Sequence, residues 1–290
     1  MSDKILFFLT NDYTHYCLAH AFQDKHDCEM YAISEVTSRP KKFFSSQKLV
    51  NFEKIWFIHD HIKKEIKPDL EYLKKFEEKY KINLWRLVQN ERIFLYFRNF
   101  YKFTRNDILS ILEQECRFFE KILDEVKPDF FFTRLPSLHH QELIYEMCKN
   151  SGVKIIAMNY TIIGKKCMLS QDHQKLDHVT RLDELEHNNR SFEDLQKYIH
   201  SSDLLKQIDE KLVKPGNEVV DKLRSAKSYF IDFDTENTNT HYTYYGRTRT
   251  KVFSYYIKDM IQTKRRKSFI DNNLKMKLET TTPFVYFPLH

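Results

Sequence analysis

Val126-Lys127-Pro128-Asp129-Phe130-Phe131-Phe132-Thr133 and, one segment later, Asn150-Ser151-Gly152-Val153-Lys154-Ile155-Ile156-Ala157 decide the fold. Each couples a helix stop to a short apolar run. Lys127-Pro128 ends one helix, because proline cannot continue it and restricts the residue before it. Ser151-Gly152 ends the next, because glycine accepts the left-handed backbone of a C-terminal cap. The apolar runs that follow are continuous, as in strands buried on both faces. Together they read helix, strand, helix, strand, the punctuation of a Rossmann-like parallel sheet.

The same alternation extends outward. Residues 5–9 (Ile-Leu-Phe-Phe-Leu) form a first buried strand, Thr10-Asn11-Asp12 supplies a turn and a helix N-cap, and residues 13–22 have helical spacing. Residues 29–33 and 54–58 read as the second and third strands, the latter ending at His59-Asp60-His61. Residues 68–80 and 106–126 read as amphipathic helices, the second capped by Asn106-Asp107. Residues 129–133 and 153–158 are the fourth and fifth strands, and 167–169 a short sixth. The expectation is an α/β fold, a Rossmann-like parallel sheet with helices on both faces, over residues 1–175. A mostly helical, basic extension follows at 176–280, with helical segments at 192–200, 204–213, 218–230 and 248–270. Residues 281–290 read as a first strand of a further domain.

Composition narrows the function. The chain has 290 residues, 41% hydrophobic and 15% aromatic, enough to bury a core. It has four glycines, Gly152, Gly164, Gly216 and Gly246, with no two in one short loop. A Walker loop, a dinucleotide fingerprint, a kinase glycine loop and a G-x-S-x-G elbow are thereby excluded. Five cysteines without a C-x-x-C pair argue against zinc fingers and a disulfide framework, and read as buried thiols in a reducing compartment. No apolar run is long enough to span a membrane or to serve as a signal peptide, so the expected location is cytoplasmic. The net charge of +6 is too mild for a specific nucleic-acid binder. Lys264-Arg265-Arg266-Lys267 could touch an anionic membrane surface, although a solvated helix face explains it equally well.

In a parallel α/β sheet, ligands sit beyond the carboxyl ends of the strands. After the first strand come Asn11, Asp12, Thr14 and His15. Asp12 or His15 could deprotonate an acceptor hydroxyl, although Asx residues there more often cap the helix. After the third strand, His59 and His61 could share a face, but no third ligand accompanies them and a polar strand exit is the plainer account. After the fourth come Arg134, Ser137, His139 and His140. The Arg134 fork suits an acidic sugar or a phosphate, and Ser137 suits an N-cap. After the fifth, Asn159, Tyr160 and Thr161 could bond sugar hydroxyls. The aromatic run at 94–103 suits core packing better than sugar stacking. No residue set points to a tightly bound cofactor or metal.

Four segments resemble bacterial and archaeal surface and capsular polysaccharide biosynthesis proteins with a GT-B glycosyltransferase-like fold. They are Glu77-Glu78-Lys79-Tyr80-Lys81-Ile82-Asn83-Leu84-Trp85, Phe100-Tyr101-Lys102-Phe103-Thr104, Lys127-Pro128-Asp129, and Pro283-Phe284-Val285-Tyr286-Phe287-Pro288-Leu289-His290. In that family, a segment like the last one opens the second Rossmann domain. The resemblance therefore covers the amino-terminal, acceptor-holding half. It implies a nucleotide-sugar donor bound by a second half, no metal requirement, and His290 near an interdomain cleft. The expected partners are a glycan or lipid-linked acceptor, and a second-half subunit or a second copy of the chain. The expected function is acceptor binding for polysaccharide synthesis, inactive without the donor half. The alternative is a non-catalytic scaffold that binds a glycan or a partner.

Overall fold

Strand β1 (Asp3–Leu9) lies at the centre of a six-stranded sheet, and its side chains are buried on both faces. Ile5, Phe7 and Leu9 pack into one apolar layer, whereas Leu6 and Phe8 pack into the other. The strand alternates sides every residue, so only a sheet covered twice can bury such a continuous run. The computed structural model describes residues 2–64, 66–89, 91–96, 99–160, 167–172, 175, 177, 191–201 and 241–273.

The other strands are β2 (Cys28–Ser34), β3 (Phe52–Phe57), β4 (Phe130–Arg134), β5 (Lys154–Tyr160) and β6 (Cys167–Ser170). The sheet order is β3-β2-β1-β4-β5-β6. The first five strands are parallel, as the sequence predicts for a Rossmann-like sheet. The sixth departs from a purely parallel sheet, running antiparallel to β5. Only six residues separate Tyr160 from Cys167. A parallel return needs a crossover of roughly a dozen residues or more, so this connection can only turn back.

Helices α1 (Thr14–Gln23) and α2 (Ser38–Ser46) cover one face, with Tyr16, Ala19 and Phe44 in its apolar layer. The other face carries α3 (Leu70–Tyr80), the short α4 (Leu84–Val88) and α5 (Arg92–Tyr96), the long α6 (Arg105–Val126), and α7 (His139–Asn150). Leu112, Cys116, Phe119, Ile122 and Leu123 line the buried face of α6. Phe94 belongs to this core, and Tyr101 and Phe103 pack against it, so this part of the aromatic run is core. Phe97 and the side chain of Tyr96 lie outside the described residues.

Local chemistry sets the helix ends. The capping box of α6 is Thr104 with Asp107, rather than the expected Asn106-Asp107, because only a residue outside the first turn can accept its amides. Leu138, not Ser137, is the N-cap of α7. The Ser137 hydroxyl and amide instead donate to Gln141 Oε1, at 3.2 and 2.8 Å. Cys116 and Cys148 are buried thiols as expected, but Cys17 and Cys167 are exposed, because α1 and the edge strand turn them outward.

The chain divides into two compact units, Met1–Gly246 and Arg247–His290. Residues 241–246 belong to the first, and Tyr242 is fully buried in its core. The second contains a 25-residue helix, Arg249–Asn273, on which Lys264, Arg265, Arg266 and Lys267 are exposed. Among the described residues, no helix is long and apolar enough to cross a membrane. Thr161, the expected helical segments at 204–213 and 218–230, residues 281–290 and His290 lie outside the described residues.

Gly246 closes the first unit with φ +72°, and a Cβ there would collide with the backbone carbonyl of Phe100. Gly152 has φ +79° but open space around it. Gly152→Ala should therefore cost only the left-handed strain of about 1–2 kcal/mol. Gly246→Ala should cost clearly more in urea unfolding, since strain and collision add. Equal losses would show that the Phe100 contact yields freely.

Candidate functional site

The strand order reverses between β1 and β4: the chain builds outward through β2 and β3, then returns to the other side of β1. In open α/β sheets, the crevice at that switch point, beyond the carboxyl ends of the strands, receives ligands. Asp12 follows β1 and Arg134 ends β4, so the two straddle it. Arg134 Nη1 lies 2.9 Å from Asp12 Oδ2, and both side chains are more than one-third exposed. Tyr160, at the end of β5, donates its hydroxyl to Thr14 Oγ1 at 2.6 Å and lies 3.4 Å from Asp12 Oδ2. Asp12 Oδ1 accepts the Thr14 amide at 3.1 Å, at the start of α1.

The N-cap of α1 is Tyr13 and not Asn11 or Asp12, because the helix begins one residue later than the polar turn. Asp12 stands just before the cap, with one oxygen on the Thr14 amide and the other facing the arginine. A half-exposed ion pair contributes only about 0–1 kcal/mol to stability. The guanidinium can therefore exchange Asp12 for an incoming carboxylate or phosphate at little cost to the fold. Its planar fork binds such groups in a bidentate manner.

Sequence-predicted residues divide between this rim and elsewhere. Asp12, Thr14 and Arg134 meet. Asn11 is exposed beside them. Tyr160, rather than Asn159, completes the group, because successive strand residues face opposite sides: Tyr160 shares the face of Met158, on the α1 side, whereas Asn159 shares that of Ala157, on the α6–α7 side. Ser137 is exposed in the β4–α7 loop, where its carbonyl accepts from Arg92 Nη2 at 3.0 Å. His15 is buried under the rim; its Nδ1 donates to the Phe8 carbonyl at 2.8 Å, and its Nε2 has no hydrogen-bond partner. The ring meets Phe132 edge-on. His15 is therefore a packed neutral imidazole and not an exposed base.

Beneath the carboxyl edge, on the α6–α7 side, lies a second constellation. His139 Nδ1 lies 2.9 Å from Glu91 Oε2, and His139 Nε2 lies 3.0 Å from Glu115 Oε2. Glu91 Oε2 also accepts the His139 amide at 2.6 Å. His140 Nε2 lies 2.7 Å from Glu35 Oε2, which Gln141 Nε2 also reaches at 2.7 Å. Tyr242 donates to Glu115 Oε1 at 2.9 Å and lies 3.3 Å from His140 Nδ1. His59 packs beside His140 and His241. Asp60 instead pairs with Lys41 at 2.6 Å, and His61 stacks on Phe118. A 3-10 turn at Ile58–His61 replaces the expected strand end, so His59 and His61 do not share a face.

Burial alone would lower the affinity of His139 for protons, but Glu115 and Glu91 outweigh it and hold the ring above its ordinary range. Burial would raise Glu91, but the hydrogen bond from His139 outweighs it and holds the carboxylate below its usual range. His59 moves the other way, pushed well down by burial and by the neighbouring His140 and His241. A cleft of about 300 Å³, lined in part by Arg86, Glu91, Arg92, Ser137 and His139, opens beside the constellation. Glu115, His139 and His140 offer ligand atoms within 4.8 Å of one another. The sequence places His139 among the substrate-binding candidates after the fourth strand, with His140 beside it. The structure instead buries both rings in this cluster, away from the exposed rim, because α7 turns its first residues toward the core. Sequence reasoning passed over Glu35, Glu91 and Glu115; the one available signal was a glutamate, Glu115, on the apolar face of a helix.

Burial holds His15 below its ordinary value of 6.5, partly offset by the Phe8 carbonyl and Asp12. Below that pH the unfolded chain binds more protons than the native one. The His15 contribution to stability is thus present above about pH 6.5 and fades as pH falls toward the lowered native value. The thermal midpoint of His15→Gln should accordingly drop less between pH 7 and pH 5 than that of the parent. Parallel curves would contradict this assignment. No family model, no curated protein and no solved structure matches this chain.

Proposed function

We propose that the chain is the acceptor-binding half of a GT-B-type glycosyltransferase of surface or capsular polysaccharide synthesis. The observation that carries the reading is the gathering of Asp12, Thr14, Arg134 and Tyr160 at the switch point of the sheet. Hydroxyls, a carboxylate and a guanidinium at one half-exposed rim match a sugar acceptor, above all one bearing a carboxylate or phosphate. Arg134 clamps the anionic group, and Tyr160 and Thr14 bond hydroxyls. Asp12 is the group placed to take a proton from the attacking hydroxyl once Arg134 turns to the ligand. Transfer also needs a nucleotide-sugar site. The sequence has no glycine-based phosphate loop, so that site belongs to a donor-binding domain. The exposed basic run Lys264-Arg265-Arg266-Lys267 on helix Arg249–Asn273 suits an anionic membrane that carries a lipid-linked acceptor.

A second reading, a non-catalytic scaffold, is favoured by one observation. Among the described residues β6 is an edge strand with Met168 and Leu169 exposed, a ready template for another chain.

Binding to an array of neutral and acidic oligosaccharides tests the first reading. Retention of acidic glycans is expected, with Arg134→Ala weakening it about tenfold, as for one charge-assisted contact of about 1.4 kcal/mol or more. Tyr160→Phe should weaken it less. Asp12→Asn should retain binding while abolishing transfer when a donor half is supplied. If no glycan is retained, and the chain instead captures a protein through β6, the scaffold reading replaces it.

A further inference from the structure

The geometry points to a metal site under the sheet edge, in which Glu115, His139 and His140 bind one divalent first-row transition-metal ion, with zinc the best fit to two imidazoles and a carboxylate. This inference is independent of the acceptor reading, because the three side chains are at most 2% exposed and lie in the core rather than on the rim.

The hydrogen bonds of the outer shell carry the argument. A metal-binding histidine uses one ring nitrogen for the ion and gives the other to a carboxylate or carbonyl, which fixes the ring and its tautomer. Both histidines here have that arrangement. His139 gives Nδ1 to Glu91, and His140 gives Nε2 to Glu35. Glu91 is itself held by the amides of His139 and Ile93, and Glu35 by Gln141. That leaves the opposite ring nitrogens, His139 Nε2 and His140 Nδ1, for an ion. The first lies 3.0 Å from Glu115 Oε2, and each of the three residues offers a ligand atom within 4.8 Å of the others.

The converging atoms are also the ones left over. His139 Nε2 and Glu115 Oε2 lie 3.0 Å apart, yet neither makes an aligned hydrogen bond. His140 Nδ1 has only the long contact to the Tyr242 hydroxyl. His139 and Glu115 are an ion pair by distance but lack hydrogen-bond alignment, and a cation coordinated by both would satisfy these buried atoms better. Ligands about 2.0–2.1 Å from a tetrahedral ion are about 3.4 Å apart, so the 3.0 Å pair of His139 and Glu115 needs to open slightly and the wider separations, all within 4.8 Å, to close by little more than an ångström at most. Among the described residues, no lysine or arginine pairs with Glu35, Glu91 or Glu115. A dication would take the place of the proton that His139 otherwise shares with Glu115, and would bring the larger charge. Tyr242, donating to Glu115 Oε1, orients the carboxylate. The ion would fasten α6 to α7 and, through Tyr242, to residues 241–246.

Elemental analysis of the untagged full chain, purified without chelators, is expected to give close to one equivalent of zinc or another first-row ion. After chelator treatment, Zn²⁺ should bind again at one per chain and raise the thermal midpoint. Co²⁺ should give visible absorption bands of a low-coordinate nitrogen–oxygen site. His140→Ala and Glu115→Gln should lose the ion. Should those variants fail to fold, Glu35→Gln, which leaves all three ligands in place, should weaken zinc 10–100-fold. The proposal is overturned if the folded, chelator-treated chain takes up no zinc or cobalt. The cluster is then a proton-sharing ion-pair network only. Unchanged zinc affinity in folded Glu115→Gln or Glu35→Gln overturns it as well.

Discussion

His139 holds the carboxyl edge of this sheet together. Its ring touches Glu91 on one side and Glu115 on the other, and its backbone amide returns to Glu91. Three separate pieces of chain meet there: the residue before α5, the middle of α6 and the first turn of α7. An ionised carboxylate in an apolar interior is tolerated only when it is paired. Each partner therefore requires the others, and loss of one leaves a charge uncompensated. The same clamp sets where α7 begins, and so where the loop that follows Arg134 at the end of β4 must finish.

Above that clamp the sheet edge is built in two layers. The lower layer, with Glu35, His59, Glu91, Glu115, His139, His140 and Tyr242, is closed to solvent or nearly so. The upper layer, with Asp12, Thr14, Arg134 and Tyr160, is half-open. Its ion pair is weak because water screens it. That contrast is functional in character. A rigid base holds the strand ends in place, while the groups on top can change partners with a ligand. His15 marks the boundary on the α1 side, packed against Phe132 and bonded to the backbone of β1.

The strand ends and the loops differ in how local their causes are. β1, β4 and β5 follow from continuous apolar runs bounded by proline, glycine and Asx residues, and all three stand where the sequence puts them. The direction of β6 follows from connection length alone. The Ser137 and Asn106 assignments fail because several polar residues adjoin each helix start, and the cap is chosen by the geometry of the first turn.

The sequence by itself determined the class of fold, the central doubly buried strands, and the rim residues Asp12, Thr14 and Arg134. Those residues follow strands directly, and a strand end places its neighbours by short-range geometry. It did not determine that Tyr160 rather than Asn159 faces them, since a one-residue shift in where β5 ends reverses the side. Nor did it determine the buried cluster. Glu35, Glu91, Glu115, His139 and Tyr242 are spread over more than two hundred positions, and no spacing rule links them. Only tertiary packing decides that these groups share one dry space, because the desolvation that makes each of them need a partner exists only once the helices have closed over the sheet.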